Sequence, residues 1–177
     1  MLIGTRNGLW VARSEGDRAT WEVDGPHFSM QGIYSEAIDR RGERPRMLVG
    51  ATSEHWGPGV FVSEDLGATW REPSSGIHFP EEEGVSVERI WQLVPDTAER
   101  PGLVWAGTQP SALWRSTDGG VTFELVRGLW DHPHRPQWQP GGGGQCLHTV
   151  LPHPDGPARV LVAVSAEGLY TIAPAPP

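Results

Sequence analysis

The chain has 177 residues, one cysteine, 20% charged and 37% hydrophobic residues, and a formal net charge of −8 at pH 7. That length suits a single domain, the acidic balance argues against nucleic acid or an anionic membrane as partner, and Cys146 alone rules out an internal disulfide framework. No apolar run approaches the ~20 residues of a membrane-spanning helix. No basic and then apolar leader precedes the first strand, so a cytoplasmic setting is the expectation.

In chain order, the 23 glycines and 17 prolines leave no amphipathic window long enough for a helix, and nine tryptophans sit in short β-rich runs. Four segments repeat: LIGTRNGLWVARS (2–14), MLVGATSEHWGPGVFVSED (47–65), LVWAGTQPSALWRSTD (103–118) and LVAVSAEGLYTI (161–172). Their aromatics Trp10, Phe61, Trp114 and Tyr170 are 51, 53 and 56 residues apart. A period of that length suits one four-stranded propeller blade.

Within each period, alternation and turn signals place a first strand A at GIYSEAI (32–38), VERIWQLV (87–94) and QCLHTVL (145–151). Strands B and C follow in the repeated segments, and strand D runs through TWREP (69–73) and TFELV (122–126). The fold expected is all-β, a partial β-propeller of two full four-stranded blades flanked by two incomplete ones. The blades span 1–24 (B, C and D only), 32–73, 87–127 and 145–173 (A, B and C only). The tail APAPP cannot extend a ladder, because proline lacks the N–H donor.

Between strands C and D stands an octet, SEDLGATW (63–70) and STDGGVTF (116–123). Its carboxylates, Asp65 and Asp118, can accept turn amides, while Ser63, Thr69, Ser116 and Thr122 tie down the flanking backbone. Gly67 and Gly120 supply positive φ, and Trp70 and Phe123 open strand D as apolar plugs. No histidine or second carboxylate recurs in step with the aspartates, so the octet reads as a structural joint. A degenerate copy, SEGDRATW (14–21), keeps Ser14, Thr20 and Trp21 but has Gly16 and Arg18 where Asp and Gly are expected.

S-x-D-x-G-x-T-[WF] resembles the Asp-box, or BNR, repeat of sialidase-like β-propellers. DHPHRPQWQPGGGGQCLHTVLPHP (131–154) further resembles bacterial BNR-repeat proteins labelled sialidase-like or glycosyl-hydrolase-like. Those proteins are about twice as long, and this chain resembles their N-terminal half, so it reads as truncated. The resemblance implies WD40/YVTN-like blade stacking. It also implies a partner that completes the ring: a second copy in a ring-closing dimer, or a missing C-terminal half.

In such blades the B–C and D–A connections share one face, opposite the octets. The irregular segments DGPHFSMQ (24–31), SEHWGP (53–58), PSSGIHFPEEEGVS (73–86) and RGLWDHPHRPQWQPGGGG (127–144) fall there. They carry five of the seven histidines, His27, His55, His78, His132 and His134, and loops on a rigid scaffold commonly bind. Ligand-binding candidates are His55, Trp56, Trp130, His132, His134, Trp138 and, on strand A, His148. His132-x-His134, with His148 or Asp131, is weighed as a metal site against a solvated turn, and the turn is preferred. The run 141–144 lacks the Lys-Ser/Thr and helix of a phosphate loop. No cofactor and no metal is expected.

The sialidase resemblance asks for an arginine cluster on a carboxylate, a Tyr–Glu pair and an acid/base carboxylate. The weak catalytic candidates are Arg6, Tyr34, Glu36 and Arg89, with Arg135 also at the rim. The F/Y-R-I-P motif is absent. The expectation is therefore a non-catalytic binding or scaffold propeller taking a glycan or protein on the loop face. The alternative is a sialidase-like glycoside hydrolase, active only when the ring is completed.

Overall fold

A computed structural model describes residues 1–71, 76–154 and 159–173. The fold is all-β, built from four antiparallel sheets that follow one another along the chain. Sheet 1 holds β1 (Leu2–Thr5), β2 (Gly8–Arg13) and β3 (Glu22–His27); sheet 2 holds β4 (Gly32–Asp39), β5 (Arg46–Ser53) and β6 (Gly57–Ser63). Sheet 3 holds β7 (Arg89–Pro95), β8 (Val104–Gln109), β9 (Ala112–Ser116) and β10 (Glu124–Leu125). Sheet 4 holds β11 (Leu147–Pro152), β12 (Val160–Val164) and β13 (Gly168–Ile172). Among the described residues helix is confined to α1 (Arg127–Trp130) and two single 3₁₀ turns, Glu81–Glu83 and Arg135–Gln137.

Three details differ from the expectation. Sheet 2 is three-stranded among the described residues: after β6 the chain makes one bridge, Val62 to Arg71, and 72–75 of the expected fourth strand lie outside the described residues. His27, expected in a loop, pairs with Leu9 as the last residue of β3, which a register shift carries past the hairpin's regular pairing. The stretch RGLW, expected irregular, forms α1, whose Leu129 and Trp130 are buried against the neighbouring sheets. Pro174–Pro177 of the tail also lie outside the described residues.

The core lies between consecutive sheets, in three apolar clusters. Leu9, Val11, Ile33 and Val49 fill the space between sheets 1 and 2; Leu48, Val60, Ile90 and Trp114 that between 2 and 3. Trp105, Leu113, Val150 and Val162 fill the third. The sheets close tightly because one position in each acceptor strand has no side chain. Gly4, Gly50 and Gly107 pair with Leu9, Val60 and Leu113 in the same register. A Cβ at Gly4 would stand 3.0 Å from the Ile33 carbonyl oxygen, and one at Gly50 3.1 Å from Ile90 Cβ. A Cβ at Gly107 would fall well inside contact distance of the Leu147 carbonyl.

A second device repeats at the opposite ends of the first strands. Buried Asp39 accepts hydrogen bonds from Arg41 Nε (2.8 Å) and Arg46 Nη2 (2.8 Å). Arg41 Nη1 then reaches sheet 3, donating to the carbonyls of Arg100 (2.9 Å) and Leu103 (2.7 Å). Buried Asp96 repeats the pattern with Arg100 Nε (2.8 Å) and Trp105 Nε1 (2.6 Å), and Arg100 donates on to the His153 carbonyl of sheet 4. Burial alone would push the Asp39 carboxyl up; the bonds from Arg41 and Arg46 outweigh it and hold the group far below the usual carboxylate range.

The two octets are congruent. Ser63 Oγ donates to Asp65 Oδ1 (2.8 Å) and accepts from Gly67 N (2.8 Å); Thr69 donates to Asp65 from N (2.8 Å) and Oγ1 (2.6 Å). Ser116, Asp118, Gly120 and Thr122 repeat this at 2.7, 2.8, 2.9 and 2.6 Å. In each octet the serine, aspartate and threonine groups bond within their own turn, as a structural joint requires. In the degenerate octet the network is lost, and the Ser14 hydroxyl is buried without a partner.

Two outcomes follow from this packing. Gly107→Ala should cost about 2–3 kcal/mol in thermal or urea melts, since the new methyl overpacks against backbone. Gly128→Ala in α1, where the added atom meets nothing within 4 Å, should be neutral to slightly stabilising. For the clasps, Ser116→Ala strands the buried Gly120 N–H and should cost about 1–2 kcal/mol. The Thr69 hydroxyl and amide and Ser63 hold Asp65 at about 2. For Asp118, partial desolvation is outweighed by the bonds from Thr122, Ser116 and Val121, which also leave it at about 2. Because both folded values lie below the ordinary ~3.9, the clasp contribution is complete above about pH 4. It is lost as pH falls through about 2. Urea midpoints across that window should show this acid loss, and Asp118→Asn should flatten part of it.

Candidate functional site

The first strands of sheets 2, 3 and 4 share one irregularity near their start. Their registers slip between Ile33 and Ser35, between Ile90 and Gln92, and between Leu147 and Thr149. The skipped residues are Tyr34, Trp91 and His148, one per sheet at the same repeat position. A bulge leaves its extra residue unpaired and re-aims its side chain. Each bulge lies beside the residue that closes on the neighbouring glycine, so the tight sheet contact and the displaced side chain belong to one local geometry.

Two of these side chains meet. The Tyr34 and Trp91 rings lie 5.4 Å apart at 59°, and the Arg89 guanidinium stands over both, 5.4 Å from the tyrosine and 5.9 Å from the tryptophan centroid. Gln109, at the end of β8, fixes the group: its Oε1 accepts from Arg89 Nη1 (3.1 Å) and Trp91 Nε1 (3.2 Å), and its Nε2 donates to Glu88 Oε2 (2.6 Å). Tyr34, Trp91 and Arg89 are each half-buried, while Glu88 is exposed. The result is a positioned aromatic shelf with a cation and a polar edge, on the face opposite the octets.

The catalytic candidates do not converge into one centre. Arg89 is committed to the rings and Gln109. Arg6 is exposed on the β1–β2 turn, without a hydrogen bond or ion pair among the described residues. Arg135 lies 3.3 Å over the Trp130 ring. No hydrogen bond joins Tyr34 to Glu36, because the bulge at Tyr34 breaks the alternation that would set them side by side. Glu36 instead accepts the Gly4 amide, and partial burial against sheet 1 raises its carboxyl above the usual range.

Among the ligand candidates, Trp130 and Trp138 are corrected to core residues, each 5% exposed. Trp130 packs on Phe79 at 4.5 Å and donates to Glu83 Oε2 (2.7 Å), which is also paired with Arg127. Those two bonds hold the Glu83 carboxyl below its ordinary value. Trp138 donates to the Tyr170 hydroxyl (2.8 Å). An aromatic ring with a polar tip is satisfied inside when that tip finds a partner, and sequence does not show whether it will.

His132 and His134 stack edge-on to each other at 4.6 Å, with His132 5.0 Å from Tyr170, so the HxH pair closes a turn over that tyrosine. Among the described residues no group of three or more His, Cys, Asp or Glu is placed to hold a metal ion. His55 and Trp56 form the β5–β6 turn on the Ser53 hydroxyl, and Trp56 is 91% exposed. It borders an open groove of about 360 Å³ with Ile77, His78 and Val87. His148 is exposed, and its ring Nδ1 is hydrogen-bonded to the hydroxyl of its neighbour Thr149 (2.9 Å). Sequence reading missed Trp91 and Gln109; the readable signal was a ring-bearing residue in the second or third place of β4, β7 and β11.

No family model matches the chain. Part of it is similar to a xyloglucanase of Hypocrea jecorina (strain QM6a), at 29% identity over 126 residues, covering 66% of this chain and 14% of that protein. The chain therefore spans a small part of that relative's length. This is a distant relation to a glycan-related protein of the glycoside-hydrolase kind, and it lends the sialidase expectation no support.

Proposed function

We propose that the chain is a glycan-binding, non-catalytic portion of a β-propeller whose four sheets are consecutive blades. Its ligand is a neutral polysaccharide of the xyloglucan type, bound on the face opposite the octets. The observation that carries this reading is the Tyr34–Trp91–Arg89 shelf spanning two adjacent sheets. Ring faces match the apolar face of a pyranose, and Gln109, Glu88 and Arg89 supply fixed polar groups at its edge. The partial similarity to a xyloglucanase supports the choice of sugar.

Calorimetric titration with xyloglucan oligosaccharides, with cello- and sialo-oligosaccharides as comparison, tests the proposal. Trp91→Ala and Tyr34→Ala should weaken xyloglucan binding at least tenfold while the melting curve stays cooperative, and Trp56→Ala should have the smaller effect. Absence of binding, or binding indifferent to Trp91, overturns it. The second reading, a glycosidase completed by further blades, is supported by the partial similarity to a xyloglucanase. It requires turnover of aryl glycosides that Glu36→Gln abolishes.

The ring's remaining blades are supplied, in this reading, by a second copy. Leu169 is 68% exposed, whereas its register equivalents Val60 and Leu113 are 1% and 0% exposed under the next sheet. At the other end Ile3 is 38% exposed where Val49, Ala106 and Val162 are fully covered. These are the faces that the repeat buries three times within the chain, so each end presents half of an interface already formed inside. Light scattering after size exclusion should give a dimer that Leu169→Glu converts to monomer. A wild-type monomer at high micromolar concentration assigns those faces to further chain instead.

A further inference from the structure

The degenerate octet has a consequence on the face away from the shelf. In the intact octets the last aromatic is packed: Trp70 lies 5.2 Å from Phe28, and Phe123 rests on the second core cluster. In the degenerate copy Gly16 replaces the aspartate, so nothing gathers Ser14 and Thr20. Trp21 is left 42% exposed, its Nε1 donating to the Arg18 carbonyl (3.0 Å). Arg18 takes the place of the clasp glycine and keeps its left-handed backbone, φ 60° against 94° and 93° at Gly67 and Gly120. The turn's course is retained, but an arginine now stands where no side chain stood.

The result is an open cleft of about 610 Å³ between sheets 1 and 2, lined by Arg13, Arg18, Arg40, Trp21, Ile38 and Met47 among others. Its charge is one-sided. Arg13 is held by the Leu66 carbonyl (2.6 Å) and lies 3.9 Å from the Asp24 carboxylate. The guanidinium groups of Arg18 and Arg40 make no hydrogen bond or ion pair among the described residues. The Ser14 hydroxyl, buried and without a partner, borders the same space. A protein of net charge −8 thus gathers three guanidinium groups around an apolar floor and one exposed indole.

We infer that this cleft binds a small carboxylate carried on a ring-sized body with an apolar face, such as a uronate sugar or an aryl acid. Planar guanidinium forks match a carboxylate, the indole and the Ile38–Met47 floor take the ring face, and the Ser14 hydroxyl supplies one directed bond. The site is distinct from the aromatic shelf, on the opposite end of the sheets, and stands whether or not the shelf binds glycan.

Titration of the whole chain with galacturonic acid oligomers, benzoate, the matching neutral sugars and inorganic phosphate tests the inference. Binding should follow the carboxylate, weaken with added salt, and be absent for the neutral sugars. Arg18→Gly restores the clasp glycine at a positive-φ position. It should therefore leave the melting temperature unchanged or raised while weakening carboxylate binding at least tenfold; Arg40→Gln should weaken it similarly. Trp21→Ala should weaken the ring-bearing acids more than phosphate. The inference fails if no carboxylate binds, if both arginine variants bind as the wild type does, or if phosphate binds as tightly as the ring acids, which would reduce the cleft to a patch of charge.

Discussion

The arrangement of this protein depends on a vacancy of one atom. At Gly4 in β1, Gly50 in β5 and Gly107 in β8 the strand carries no Cβ, and the next sheet's first strand comes in against backbone. The approach brings Ile33, Ile90 and Leu147 into the apolar layers that hold consecutive sheets together. Any side chain there forces the layers apart, and a close-packed interior has no slack with which to absorb it. Sheet 4 has Ala163 at this place, and its outer residues are the ones left uncovered.

Around that constraint the two ends of the sheets have different chemistry. On one end polar groups are consumed internally. Each intact octet uses its aspartate, serine and threonine on its own turn, and each Asp–Arg staple spends its guanidinium on carbonyls of the next sheet. Buried carboxylates of this kind are tolerable because every charge has a partner and the remaining lone pairs are filled. On the other end, the same close approach coincides with a bulge in the incoming strand. That bulge releases Tyr34, Trp91 and His148 from the alternating pattern and presents side chains that a regular strand would have packed or paired.

Repetition also makes the exceptions readable. The first octet lacks its aspartate, and its tryptophan, serine and neighbouring arginine are free for another role. Trp130 and Trp138 show the converse. Both stand in irregular, histidine-rich sequence that reads as a surface loop, and both are core residues because Glu83 and the Tyr170 hydroxyl meet their indole N–H groups.

The amino-acid sequence determined the all-β class, the order of strands, the octet joints and which end of each hairpin they occupy. Those features rest on period, turn chemistry and alternation, all local in the chain. It did not reveal the Asp39–Arg41 and Asp96–Arg100 staples, whose arginines reach carbonyls 53 to 62 residues away. Nor did it reveal the meeting of Tyr34 with Trp91, which depends on bulges that no composition signal marks. Burial of the loop tryptophans, dispersal of Arg6, Arg89 and Arg135, and opening of the arginine cleft were likewise settled only by tertiary structure. Each turns on which strand of a neighbouring sheet lies across the gap, a distance that sequence spacing does not measure.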